Sequence, residues 1–268
     1  MPVDGTGLRI AAVIPNVNLS KKGTSTMSNE ILVQQDGAIL RVTLNRPNEG
    51  NGMSNDMAAE LTAILDHASD TSQFAVLRGA GADFCIGRAH TGGRPDFPPD
   101  ALTLRRRNQV IFDCYSAFRR SPIPIAGVVQ GRALGFGCAL AALCDITLAA
   151  DDAKFQFPEM GHNIMPTMAM SALVDRVPRK ALMYLIYSTA VIGAERALSF
   201  GLVSDVVPAS RLDEAVQNLS AAMLKAPRPA TLAVKEYARV ALSMELDGAV
   251  DFARNLHATI NTSSEMRR

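Results

Sequence analysis

The chain has 268 residues, 48% of them hydrophobic, so it can bury a large core without disulfide bonds. Its formal net charge of +1 argues against a broad basic surface, and we expect no nucleic-acid partner. No apolar stretch is long and uninterrupted enough to predict a membrane span, and we expect no membrane partner. The cysteines show no CxxC pairing, so we interpret them as reduced thiols of a cytoplasmic protein: Cys85, Cys114, Cys138 and Cys144.

The first 27 residues are rich in Gly, Ser, Thr and Asn. Their short apolar run, residues 10–14, follows Asp4 and precedes no cleavage pattern, which argues against a secretory signal. We therefore interpret residues 1–27 as a flexible extension, with Met27 as an alternative start and a short transit peptide as a further alternative.

Strand-type and helix-type patterns alternate from residue 31 onward. Two β-type runs, residues 31–35 and 38–44, flank Asp36-Gly37, which predicts a hairpin. Ser54 is a candidate N-cap for the first helix. The spacing then predicts a strand over 74–77, a helix over 101–119, and strands over 125–129 and 146–149. The helix over 101–119 has an apolar face predicted to contain Leu104, Ile111, Tyr115 and Phe118.

The chain is predicted to be mainly helical from about residue 179. Helical patterns cover residues 180–187, 194–200, 212–224, 230–242 and 249–260. A short extended segment, residues 201–208, interrupts them. Because strands alternate with helices before this run, the fold class is α/β with a helical C-terminal subdomain.

Two glycine-rich turns each follow a predicted strand. We call residues 84–88 (FCIGR) the first glycine turn and residues 131–138 (GRALGFGC), which lead into a helix, the second glycine turn. Glycine allows tight backbone geometry, and a helix start offers unpaired N–H groups. Two such turns brought together could aim two backbone donors at one oxygen, as an oxyanion hole does. The alternative is that both are ordinary connecting turns.

Glu159 is the strongest acid–base candidate because it lies in an apolar segment, residues 155–160. Burial would raise the pKa of its carboxyl group, which suits proton transfer. The alternative is a surface carboxylate after Pro158. His90 and His162 are further acid–base candidates, although a lone histidine is more often structural.

Several other site types are excluded by spacing. There is no HxxxH and no Cys/His cluster, so we predict no metal, and no GxSxG that would mark a serine nucleophile. Residues 79–81 (GAG) begin like a dinucleotide-binding turn, but Phe84 stands where the third glycine is needed. Asp145, between a predicted helix and strand, is expected to have a structural hydrogen-bonding role.

From about Met27 to its end, the chain resembles the crotonase (enoyl-CoA hydratase/isomerase) superfamily. Five segments are similar to that family's motifs and occur in its order: NRP followed by Asn51 at 45–51, FCIG at 84–87, residues 131–140, residues 153–159, and residues 194–208. Each segment alone is weakly specific, and their order makes the resemblance strong.

The resemblance implies a crotonase-like spiral of ββα units over residues 28–210. It also implies a helical C-terminal oligomerisation region over 211–268, and hence a homotrimer or a dimer of trimers. The implied substrate is an acyl-CoA thioester. Coenzyme A is part of that substrate, so no separate cofactor is expected.

The same resemblance implies the site residues. The backbone N–H groups of Arg88 and Phe136 would form the oxyanion hole for a thioester enolate, and Glu159 would be the catalytic acid/base. The implied substrate-binding positions are Gly87, Ala89, His90, Gly135 and His162.

The chain differs from the family at a position that helps to determine which reaction is catalysed. Hydratases of the family carry two glutamates, and the first would fall at Ala139, which cannot accept a proton. Family members with only the second glutamate include isomerases, which favours a single-base enzyme. A hydratase or lyase with a non-standard second group, with His90 and His162 as its candidates, stays an alternative. A non-catalytic acyl-CoA-binding homologue is another alternative.

Overall fold

A six-stranded sheet lies at the centre of the chain. The structure is a computed structural model that describes residues 29–89 and 99–267. The strands of this sheet are β1 (Ile31–Asp36), β2 (Ile39–Leu44), β3 (Phe74–Gly79), β4 (Ile125–Val129), β6 (Ile146–Ala150) and β9 (Asp205–Val207), and they pair in the order β1-β2-β3-β4-β6-β9.

The sheet is antiparallel at one edge and parallel elsewhere. β1 and β2 form the predicted hairpin, with Asp36 paired to Ile39 and Gly37 at a φ of 58° in the turn. The pairs from β2 to β9 are all parallel. Because parallel strands end at the same edge, the first glycine turn after β3 and the second after β4 emerge next to each other.

A second, three-stranded sheet consists of β5 (Arg132–Leu134), β7 (Lys154–Gln156) and β8 (Ile192–Gly193), in the order β5-β7-β8. These strands were not predicted, because two or three residues are too few to show an alternating pattern. A bridge between Cys85 and Ala133 joins the first glycine turn to β5.

The helices follow the predicted pattern except for α4, which was not predicted. Their bounds are α1 (Asn55–His67), α2 (Ala101–Arg120), α3 (Phe136–Leu143), α4 (Thr167–Leu173), α5 (Arg179–Ser188), α6 (Ala194–Ser199), α7 (Leu212–Lys225), α8 (Arg228–Ala241) and α9 (Leu246–Asn261). The Ser54 hydroxyl accepts a hydrogen bond from the Met57 N–H at 3.1 Å, which confirms the predicted N-cap of α1. Every residue of α3 is buried.

The apolar face of α2 was predicted correctly except at its start. Ile111, Tyr115 and Phe118 are buried, but Leu104 is 47% exposed. The prediction for Leu104 was wrong because the first turns of α2, which continue into three arginines at 105–107, are largely exposed and lie outside the core.

A buried ion pair holds the C-terminal helices on the core. Lys235 of α8 is buried, and its Nζ lies 2.6 Å from both Asp145 carboxylate oxygens and 3.2 Å from the Phe118 carbonyl oxygen. Asp145 also accepts a hydrogen bond from the Ile125 N–H at 2.8 Å. The structural role predicted for Asp145 is therefore confirmed.

The C-terminal helices differ in where their apolar side chains point. Leu212 and Val216 of α7 pack into the chain's own core. Most of the exposed large apolar side chains of this region lie on α8 and α9 and in the loop between them, and one lies near the end of α7: Val234, Leu242, Met244, Leu246, Val250 and Leu224. The oligomer stays a prediction, and these residues are its candidate contacts.

Other predictions concern the whole chain. No helix within residues 29–89 and 99–267 is long and apolar enough to cross a membrane. All four cysteines are buried free thiols. The extension over residues 1–27 lies outside the described residues.

Candidate active site

The two glycine turns lie against each other beyond the ends of β3 and β4. The Cys85 N–H donates to the Arg132 carbonyl oxygen at 3.1 Å, and the Leu134 N–H donates to the Cys85 carbonyl oxygen at 2.9 Å. A Cβ on Gly137 would lie 2.0 Å from the Cys85 carbonyl oxygen, so only glycine allows the turns to come this close.

The direction of the Arg88 N–H follows from the hydrogen bond that the preceding carbonyl group accepts. The carbonyl oxygen of Gly87 accepts a hydrogen bond from the Met53 N–H at 2.9 Å. In a trans peptide the C=O and N–H point in opposite directions, so the Arg88 N–H points away from Met53. Gly87 lies beside the second glycine turn, since a Cβ on it would be 3.6 Å from the Leu134 carbonyl oxygen.

The Phe136 N–H points out of the start of α3. The Gly135 carbonyl oxygen accepts a hydrogen bond from the Ala139 N–H at 2.9 Å and is therefore directed into the helix. The N–H of the same peptide, that of Phe136, must point the other way. The structure thus brings the two predicted donors to adjoining turns, and their convergence on one oxygen stays a prediction.

Glu159 lies beside the second glycine turn, in a 3-10 turn that follows β7. Its Oε1 would be 3.0 Å from a Cβ on Gly135. Gly135 has a φ of 50° and donates its N–H to the Gln156 carbonyl oxygen at 2.8 Å. A side chain at position 135 would therefore displace the carboxylate, which explains why glycine is needed there.

The environment of Glu159 favours proton transfer. Burial raises the pKa of its carboxyl group, while its own backbone N–H and the nearby His162 offset part of that increase. Its Oε2 is buried and has no hydrogen-bond partner within the described residues. A half-buried carboxyl group with a raised pKa is typical of a general acid/base.

The other residues that the sequence singled out lie in different surroundings. His162 is exposed but close enough to Glu159 to influence its pKa. Ala89 donates its N–H to the Met53 carbonyl oxygen at 2.8 Å and so fixes the end of the first glycine turn. Ala139 is fully buried in α3. His90 lies outside the described residues.

Tyr115, predicted from the sequence only as part of an apolar helix face, lies beside the predicted donor Phe136. Its ring stacks on Phe136, with centroids 5.3 Å apart and planes inclined by 29°. It is 3% exposed. Burial raises the pKa of its phenol group well above the ordinary value; the charge of Glu159 adds to this increase, and the guanidinium of Arg88 opposes it. The phenol therefore stays protonated near neutral pH.

The side chain of Arg88 has its own contacts. One terminal nitrogen of its guanidinium lies 2.6 Å from the Asn55 side-chain oxygen, at the start of α1. Burial lowers the pKa of the guanidinium, and the nearby Tyr115 opposes that decrease. These contacts are independent of the peptide N–H that is the predicted donor.

Comparison with known proteins identifies the family. The family model described as enoyl-CoA hydratase/isomerase matches residues 34–268. The chain belongs to the enoyl-CoA hydratase/isomerase family. This confirms the resemblance found in the sequence, and it makes the chain an enzyme of this family whose exact reaction the match leaves open.

Individual relatives are similar to this chain over most of their length. A 2,3-dehydroadipyl-CoA hydratase of Escherichia coli is 29% identical over 241 residues, covering 88% of this chain and 92% of the relative. The enoyl-CoA hydratase of Mycobacterium smegmatis has a TM-score of 0.83 and 25% identity, covering 88% of this chain and 93% of that structure. A Thermobifida fusca chain solved in complex with acetoacetyl-CoA has a TM-score of 0.76 and 29% identity, covering 86% of this chain and 94% of that chain. The crotonase-like fold is therefore confirmed.

Proposed function

We propose that this family member binds an acyl-CoA thioester and transfers a proton on its enolate, with Glu159 as the single carboxylate acid/base. The N–H groups of Arg88 and Phe136 would donate to the thioester oxygen. The main support is the position of the Glu159 carboxylate against Gly135, directly before the Phe136 donor. The Thermobifida fusca relative, which binds acetoacetyl-CoA, supports the substrate class.

Two backbone donors at the thioester oxygen would stabilise the charge that develops when an α-proton leaves. Such donors accelerate a reaction because they bind the enolate more tightly than the neutral thioester. Glu159 would accept the α-proton and return it at the γ-carbon. This moves the double bond with no gain or loss of atoms, so one carboxylate is sufficient for isomerisation.

Hydration is the second candidate, and the relatives favour it. The Escherichia coli and Mycobacterium smegmatis relatives are both named hydratases. Hydration requires a water molecule held on the correct face of the double bond, which a second polar group assists. Ala139 cannot be that group, so hydration by this chain needs another residue.

Product analysis separates these candidates. The protein is incubated with 2-enoyl-CoA and 3-enoyl-CoA thioesters, and products are identified by mass and NMR. Isomerisation leaves the mass unchanged, whereas hydration adds one water. Binding of both thioesters without turnover of either would instead support a non-catalytic acyl-CoA-binding homologue and contradict the proposal.

We also propose that the protein assembles as a trimer or a dimer of trimers through its C-terminal region. The exposed apolar side chains of Leu242, Leu246 and Val250 support this proposal. Light scattering at micromolar concentration measures the mass of the assembly. A monomer would contradict the proposal.

A further inference from the structure

Two polar groups next to the Gly135–Phe136 peptide lack protein partners. Glu159 Oε2 is buried and forms no hydrogen bond with the described residues. The Tyr115 side chain, 3% exposed as a residue, forms no hydrogen bond through its hydroxyl with residues 29–89 and 99–267. A buried polar atom without a partner destabilises a fold, so Glu159 Oε2 needs an explanation.

The position of Tyr115 is held by packing. Tyr115 lies on α2, and its ring stacks on the ring of Phe136 at the start of α3. Such a contact between two helices restricts the orientation of the ring. Glu159 lies against Gly135, the residue before Phe136. Tyr115 and Glu159 thus lie against consecutive residues, Phe136 and Gly135.

Ala139 lies near Phe136 on α3. It lies three residues after Phe136, so the two residues share a face of the helix. The family's first glutamate would extend from this position, whereas Ala139 has only a methyl group. Tyr115 of α2 stacks on Phe136, and its side chain carries a hydroxyl group.

We propose that the Tyr115 hydroxyl and the Glu159 carboxylate together hold the water molecule that adds to an enoyl-CoA, with Tyr115 in place of the carboxylate missing at Ala139. The inference rests on the proposed acid/base role of Glu159 and supplies the group that its second candidate, hydration, requires. A water between the two groups would also give the buried Glu159 Oε2 a hydrogen-bond donor.

The reaction balances with water as the only co-reactant. The water oxygen forms a bond to the β-carbon while Glu159 accepts one water proton, and the electrons of the double bond move to the thioester enolate. Glu159 then returns that proton to the α-carbon, and the thioester carbonyl re-forms. Tyr115 keeps its own proton throughout and acts only by hydrogen bonding to the water.

The test uses Tyr115→Phe, which keeps the stacked ring and removes the hydroxyl. Two activities are measured on the same protein: hydration of a 2-enoyl-CoA, and exchange of the α-protons of a saturated acyl-CoA with deuterium oxide. Exchange requires Glu159 and the two N–H donors but no positioned water. We expect the kcat for hydration to fall about 10- to 100-fold and the exchange rate to stay within about twofold.

The matched control is Tyr237→Phe. Tyr237 is also stacked on a phenylalanine, Phe252, with centroids 5.8 Å apart, but it lies in the C-terminal helices. We expect it to leave both activities unchanged. The second control, Glu159→Gln, should abolish both hydration and exchange.

The outcomes are distinguishable. Unchanged hydration in Tyr115→Phe would overturn the inference, and so would a wild-type protein that exchanges α-protons but hydrates no enoyl-CoA. Loss of both activities in Tyr115→Phe would assign Tyr115 a structural role and also overturn it. If Glu159→Gln retained exchange, the proposed function itself would be contradicted.

Discussion

The glycine turns and the Glu159–Tyr115 side of the site differ in which atoms carry their proposed function. In the turns the functional groups are peptide N–H groups, oriented by backbone hydrogen bonds such as Met53 to Gly87 and Ala139 to Gly135. At Glu159 and Tyr115 the functional groups are side-chain oxygens. The comparison teaches that a change of side chain should be tolerated at Arg88 and harmful at Glu159.

The largest effect is expected at Glu159. Glu159→Gln keeps the shape of the side chain and removes the base, so kcat should fall about 10²–10⁴-fold while acyl-CoA binding survives. Steady-state kinetics and titration calorimetry measure the two quantities. Glu195→Gln, on the exposed side of α6, is the control and should be without effect. Near wild-type turnover in Glu159→Gln would show that another group is the base.

The next largest effect is expected when one of the two peptide N–H donors is removed. Proline at position 88 or 136 removes the N–H, and we expect a loss of about 10²–10³ in kcat for each. Proline fits sterically at 136, the first residue of α3. Arg88→Ala keeps the N–H and should cost much less. If the alanine and proline variants of Arg88 were equally impaired, the side chain and not the peptide would be responsible.

A smaller effect is expected in the pH profile. The base must be deprotonated, and burial raises the pKa of Glu159 above its ordinary value of 4.5. The acidic limb of kcat/KM should therefore lie above pH 4.5. His162→Ala removes a group that lowers this pKa and should move the limb to higher pH. A limb that moves to lower pH would contradict the proposed electrostatic contact.

The smallest effect is on stability. A carboxyl group whose pKa is raised by folding binds its proton more tightly in the folded state, so its contribution to stability is lost as pH rises from 4.5 through the raised value. The free energy of unfolding of Glu159→Gln should therefore exceed that of the wild type at pH 7, and the difference should shrink toward pH 4. Denaturant titrations at the two pH values measure it. A variant less stable than the wild type at pH 7 would mean that the ionised Glu159 carboxylate does not destabilise the folded state.

Local patterns predicted most of the fold. The Asp36-Gly37 hairpin and the Ser54 cap depend on neighbouring residues, and both were found. The small sheet of β5, β7 and β8 was missed, because its pairing depends on residues far apart in the sequence. Leu104 was misplaced, because helical periodicity does not show how much of a helix the core covers.

The candidate site was predicted in part. Glycines and an acid in an apolar segment are visible in a sequence, so both turns and Glu159 could be proposed from it, and their roles stay predictions. Tyr115 was missed because a tyrosine on an apolar helix face looks like any core residue. Its importance becomes visible only when the fold stacks it on Phe136, near Glu159.

The most direct test of the central claim is a crystal structure with acetoacetyl-CoA bound. The account predicts that the thioester oxygen lies about 2.7–3.1 Å from both the Arg88 and Phe136 backbone nitrogens, with the α-carbon next to the Glu159 carboxylate. A bound thioester whose oxygen contacts neither nitrogen, or two nitrogens that still point apart with the ligand in place, would contradict it.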